Sequence, residues 1–184
     1  VQARELTQLQ SILQNQIERH GQNVFEEGTV IIPGQISISN AYTSIQLASQ
    51  FGGEDVVPSQ YFNSTTPVTI TGATSGVKAR VIGFEEGTST TQPRLYIQYV
   101  SSGSDNTTQV FADSENITAN ASITHTTTYA TNVASATTHT TGHQVGTSAK
   151  VESGIYYIRG QFVRVAEQTH VISATDADPN ARVG

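Results

Sequence analysis

Three histidines carry the most suggestive spacing for chemistry in this chain of 184 residues. His139 and His143 are four apart, and His125 lies upstream in the same Thr-rich stretch. On a helix, two imidazoles at that spacing can share one transition-metal ion. The local sequence argues against the helix, because it is Thr-rich, contains Gly142 and has no carboxylate nearby to orient either ring. Exposed loop histidines without a metal are the expectation. Ser, His and Asp residues supply the parts of a hydrolytic triad, but no G-x-S-x-G elbow accompanies them, and geometry defines a triad. The pairs Glu26-Glu27 and Glu85-Glu86 suggest glycoside hydrolysis until strand geometry is considered. Neighbouring residues on a strand face opposite ways, whereas that reaction needs converging carboxyls. Each pair sits beside a glycine, Gly28 or Gly87, as expected of a solvated turn. GATSG at Gly72 to Gly76 lacks the lysine and following helix of a phosphate-binding loop and reads as a β-turn. The Asn-x-Ser/Thr sequons at Asn63, Asn106, Asn116 and Asn120 would matter only in a eukaryotic secretory pathway. No catalytic residue, cofactor or metal ligand is expected, and no enzyme.

Composition narrows the partners. There are no cysteines, so disulfides and thiolate chemistry are excluded. A net charge of −6 with only nine Lys and Arg argues against a nucleic-acid surface. No apolar run approaches the ~18 residues of a membrane span, so no membrane partner is expected. Charged residues make up 13%, with Thr, Ser, Asn, Gln and Gly filling the polar positions. That balance suits exposed β-surface and repetitive shell-like or fibrous proteins. The chain opens with Val1, lacks methionine and stops at Arg182-Val183-Gly184 after strand-like sequence. It is therefore expected to be a fragment of a longer polypeptide.

The elements that must position these residues begin with an amphipathic helix at 1–21. Leu6, Leu9, Leu13 and Ile17 recur at steps of three, four and four, forming a narrow apolar stripe among Gln, Glu, Arg and Asn. Gly21 is expected at the left-handed position that ends the helix, with Arg19 and His20 in its last turn. At about 1.5 Å per residue, Ala3 to His20 makes a rod of roughly 27 Å. The stripe has two possible uses: packing on the chain's own β-structure, or a seam between copies. The uncharged flanks Gln8, Gln10, Gln14 and Gln16 favour the seam, although Gln16 falls on the second strict d position of the heptad.

Beyond the helix the pattern is mainly β, read as small antiparallel modules of barrel or sandwich type. Segment 22–65 holds strands at Thr29 to Ile32, Gln35 to Ser39 and Tyr42 to Leu47, the first two separated by a Pro33-Gly34 turn. Segment 66–119 alternates strand with turn. Val77, Ala79 and Val81 should face one way and Lys78 and Arg80 the other; Leu95, Ile97 and Tyr99 repeat the alternation. Segment 120–148 is dominated by Thr, Ala, Ser and His and is expected to be an extended excursion ordered by its neighbours. Segment 149–184 should contain a hairpin, Gly154 to Arg159 and Gln161 to Val165 about Gly160, anchored by Tyr157, Phe162 and Val165.

The two ends carry a resemblance. VQARELTQLQSILQNQIERHGQNVFEEGTVIIPG at the start, with SGIYYIRGQFVRVAEQTHVI running into DPNARVG at the finish, is similar to a domain of unknown function in virion structural proteins of tailed phages, notably cyanophages with contractile tails. TITGATSGVKARVIG, LYIQYV and FADSENIT also resemble a small β-module of phage tail and fibre proteins. In that module an aromatic and a Glu precede the last strand as F-x-x-G-E; here Asp113-Ser114 replaces the usual glycine spacing. The resemblance implies a virion component, a tail or baseplate protein or a fibre connector, acting as a trimeric homo-oligomer that contacts other tail or baseplate proteins. Leu6, Leu9, Leu13 and Ile17 would then be its oligomer interface. A receptor-binding or glycan-binding adhesin and a capsid decoration protein are the alternatives.

Overall fold

The computed structural model describes residues 2–175, the side chain of Gln2 apart. The DPNARVG segment, Val1 and the rest of the C-terminal stretch lie outside the described residues. The order of elements is helix α1 (Gln2–Val24), then β1 (Val30–Ile32), β2 (Ile36–Leu47), β3 (Gln50–Phe51), β4 (Glu54–Asp55) and a single 3-10 turn at Pro58–Tyr61. After it come β5 (Thr69–Gly72), β6 (Lys78–Glu85), β7 (Arg94–Ser101), β8 (Asn116–Ala119), β9 (Ile123–Thr124) and β10 (Thr128–Tyr129). The last four strands are β11 (Ala134–Val151), β12 (Gly154–Ile158), β13 (Gln161–Val165) and β14 (Gln168–Ser173). The chain is mainly β with one N-terminal helix and several antiparallel sheets. It divides into two compact units, the first comprising 2–39 and 148–171 and the second 40–147 and 172–175 of the described residues.

The second unit is built on a closed sheet. Strands run in the order β11, β2, β7, β6, β5, β8, and β8 pairs again with β11, so six strands close on themselves. Closure removes the unpaired edges that an open sheet exposes. Period-2 alternation fills the interior: Val77, Ala79 and Val81 are buried while Lys78 and Arg80 are exposed. Ile70, Leu95, Ile97, Ile117 and Ala119 join them, with Ile45, Leu47, Tyr61 and Phe111 completing the core.

The Thr-rich stretch is not an excursion. It supplies β9, β10 and most of β11, a strand of 18 residues. Its small side chains bury little apolar area, and hydroxyls hold it instead. Ser135 Oγ accepts from the buried Tyr61 hydroxyl at 2.7 Å. Thr138 Oγ1 accepts from Glu115 N at 2.9 Å and donates to Ala112 O at 2.8 Å. The strands expected separately at Gln35 to Ser39 and Tyr42 to Leu47 are one continuous β2, because nothing between them breaks the backbone. β1 pairs with β12, so Pro33-Gly34 joins strands of different sheets.

In the first unit, β1, β12 and β13 form a three-stranded antiparallel sheet. The β12–β13 turn has φ 49° at Arg159 and 80° at Gly160, the positive pair that defines a tight type I′ hairpin. Both Glu27 carboxylate oxygens accept from Arg159 N, at 3.0 and 3.1 Å. Helix α1 runs through Gly21 to Val24, and Arg19 and His20 therefore precede its last turn. Gly21 is there for space and not to stop the helix, since a Cβ would lie 2.7 Å from the Tyr157 ring. Of the three expected anchors only Tyr157 is buried; Phe162 is half-exposed and Val165 partly covered.

Candidate assembly surface

Leu6, Leu9, Leu13 and Ile17 share one face of α1, and all four are exposed, from 49% at Leu13 to 60% at Leu6. Ile12 at 50% and Val24 at 57% widen and lengthen the same apolar surface. The sequence reading missed both. Ile12 is three residues from Leu9, a helical spacing that could have flagged it, and Val24 was hidden by ending the helix at Gly21. In the same unit Val30, Ile32, Ile36, Ile38, Ile158, Phe162 and Val163 are exposed too.

Against thirteen exposed large apolar side chains, this unit buries one, Tyr157, among the described residues. Tyr157 pins the unit together. Its ring packs tilted against Phe25 at 5.5 Å and edge-on against Phe162 at 5.6 Å, its hydroxyl donates to Glu18 O at 3.3 Å, and its backbone exchanges hydrogen bonds with Gly28 and Thr29. That arrangement docks the hairpin on the C-terminal turns of α1 and leaves the apolar stripe uncovered.

The histidines have structural uses in the second unit. His125 is partly buried and no loop spectator: its Nδ1 accepts from Val57 N at 3.2 Å and its Nε2 meets Ser135 O at 2.7 Å. A carbonyl can only accept, so the proton sits on Nε2, and both ring nitrogens are engaged. His139 and His143 lie on β11, at a local bend where a Cβ on Gly142 would come within 3.0 Å of the Thr138 side chain. His143 is partly buried and its Nδ1 lies 3.0 Å from the Tyr99 hydroxyl. Burial holds the His143 ring below the usual imidazole range, opposed by the nearby Asp113 charge, and burial pushes the Tyr99 hydroxyl up to about 12. Among the described residues, no three His, Cys, Asp or Glu side chains cluster as metal ligands.

The acidic residues likewise serve the fold. Glu85 accepts from the Tyr96 hydroxyl at 3.0 Å and lies 3.7 Å from the buried Arg94 guanidinium, which also donates to Ser44 Oγ and Gln144 Oε1. Burial, and then the Glu85 charge, push the Tyr96 hydroxyl up to about 12. The GATSG turn does wrap an anion, but the anion is internal. The buried Glu115 carboxylate accepts from Thr74 N at 3.0 Å, Ser75 N at 2.8 Å, Ser75 Oγ at 2.8 Å and Ala112 N at 2.7 Å. Ser114, in the pair that replaces the glycine of the resembling modules, takes the left-handed φ of 58° just before it. The surface with unmet physical demand is thus the apolar face of the first unit. The chain matches no protein-family model, no curated protein and no solved structure.

Proposed function

We propose that this chain is a structural subunit of a tailed-phage virion, a trimeric tail or baseplate protein or fibre connector that acts through protein–protein assembly. The observation that carries this reading is the imbalance in the first unit, thirteen exposed large apolar side chains against one buried. Monomeric domains rarely leave large apolar patches in water, and the stripe of α1 is such a patch. Burying a half-exposed aliphatic side chain contributes about 1 kcal/mol. The five on the N-terminal four turns of α1 therefore offer about 5 kcal/mol per chain before the entropy of association is met. The placement in a phage rests on the resemblance of the two ends, and residues 2–34 and 153–171 of the resembling segments share this one unit, with the hairpin of the second docked on the helix of the first.

Light scattering on the purified chain tests the assembly. The expected mass is that of three 19.6 kDa chains, and Leu9→Asp should reduce it to one while the β circular dichroism is kept. A wild-type monomer at tens of micromolar would overturn the reading. Immunogold labelling of intact virions tests the location. Gold on the tail or baseplate is expected, and protein found in infected cells but never in particles would refute it.

A further inference from the structure

The helix is longer than its caps suggested, and its full length changes the period of the stripe. Over Gln2–Val24 the face-sharing positions are Leu6, Leu9, Leu13, Ile17, His20 and Val24. They fall into two sets displaced by eleven residues: Leu6 with Ile17, Leu9 with His20, and Leu13 with Val24. An 11-residue repeat is 3.67 residues per turn, close to the unstrained helix, and gives a nearly straight seam with a slight right-handed supercoil, unlike the left-handed coil of a heptad repeat. Gln16, which spoils a heptad, lies on the flank of this seam. His20 is an exposed residue and occupies the layer equivalent to Leu9.

We propose that this seam docks a second copy of the chain parallel and in register, bringing the His20 rings of neighbouring copies together in one layer, so that protons control the assembly. The inference rests on the self-association proposed above and adds its orientation and its regulation. Three observations favour an identical, parallel partner. First, the seam flanks are Gln10, Gln16 and Asn23, with Glu5 the one charge, so identical chains meet few like charges; heterotypic seams usually select their partner through flanking charges. Second, the other uncovered side chains, Val30, Ile32, Phe162 and Val163 among them, belong to the sheet docked at the C-terminal end of α1. Parallel packing gathers these sheets about one axis, whereas antiparallel packing sends them to opposite ends. Third, the six half-exposed aliphatic side chains of α1, at roughly 50 Å² each, amount to about 300 Å² per chain, and the sheet side chains that parallel packing gathers about the axis must supply the rest of the about 800 Å² per partner of a stable interface.

The His20 layer is sensitive because its surroundings are uncharged. Its neighbours three and four residues away are Gln16, Ile17, Asn23 and Val24. Arg19 is adjacent in the chain, and the packed hairpin contributes Tyr157, whose hydroxyl bonds the backbone of Glu18. The Glu27 carboxylate accepts from the Arg159 backbone N–H at the hairpin turn. No carboxylate on these elements is committed to His20, so protonated rings brought together repel one another. Histidine changes charge between about pH 5 and 8, and assembly should therefore weaken on acidification.

The chain contains no cysteine, so one introduced thiol reports orientation cleanly. Positions 9 and 24 are about 22 Å apart along the helix. In a parallel seam Leu9→Cys and Val24→Cys should each form a disulfide-linked pair with itself on mild oxidation. Crosslinking only when the two variants are mixed would mean an antiparallel seam and overturn the inference, with self-association intact. Sedimentation then tests the layer on the full chain. The wild type should dissociate at least about tenfold more readily at about pH 5 than at about pH 8, the equivalent of one unit of proton linkage, and His20→Leu should assemble equally at both. An equal pH effect in His20→Leu, or none in the wild type, would overturn the His20 layer. A wild type monomeric at about pH 8 would overturn the underlying assembly.

Discussion

Glu115 shows how much of the barrel's order depends on single polar side chains. Four donors converge on its two oxygens, three of them backbone or side-chain groups of the GATSG turn. In Glu115→Gln, an amide nitrogen necessarily replaces one oxygen and confronts two of those donors. Unsatisfied donors to a formerly charged acceptor cost about 1–3 kcal/mol each, so a loss of about 3 kcal/mol is expected in urea unfolding. His143 gives a pH signature of known sign. Burial disfavours its charged form in the folded chain, so the folded value lies below the unfolded one. Above the unfolded value, about 6.5, both states are neutral and the full stability is present. As pH falls below it, the unfolded chain takes up a proton that the folded chain resists, and stability declines until His143 itself protonates. His143→Gln should therefore show a smaller drop in melting temperature between about pH 7.5 and 5.5 than the wild type.

Among the elements, α1 exposes a conflict between local propensity and packing. Gly21→Ala in a helix interior ordinarily gains about 1 kcal/mol. Here the new Cβ would lie 2.7 Å from the Tyr157 ring, which Phe25, Phe162 and the Glu18 carbonyl hold in place. The substitution should therefore speed hydrogen exchange in α1 and the β12–β13 hairpin, and protection rising above the wild type would show that helix propensity prevails. The same residue marks the limit of what the sequence could tell. A glycine after an amphipathic run followed by turn residues reads as a helix stop, and only the approach of a side chain 136 positions away reveals it as a packing site. Local alternation was legible at β6 and a tight turn was legible at Gly160, because both signals are confined to neighbours. The place of β11 was not, because long-range pairing and buried hydroxyls leave no local mark in a run of Thr and Ala. The stripe itself could be read from Leu6 to Ile17, while its continuation through His20 to Val24 depended on that misread glycine.

For the whole molecule, the two units differ in what can stabilise them. Residues 40–147 enclose a core that includes Ile45, Leu47, Tyr61, Ile70, Leu95 and Ile117, all fully buried, inside a closed sheet. The helix and three-stranded sheet of the other unit bury a single tyrosine. Most helical stability in proteins comes from packing of the amphipathic face, and in α1 that face is the apolar surface one chain leaves exposed. If copies of the chain supply that support, the unit's stability contains the free energy of association and hence the protein concentration. Thermal unfolding should then show two transitions. The lower, followed by the helical signal at 222 nm, should move up by several degrees for each tenfold rise in concentration, and the upper, followed by tyrosine absorbance, should not move. Leu9→Asp should abolish the lower transition and leave the upper within about 1 °C, since it places a charge on the seam and touches nothing in the barrel. A single transition independent of concentration in the wild type would mean that the first unit is stabilised within one chain, and the exposed face would then need a use other than assembly.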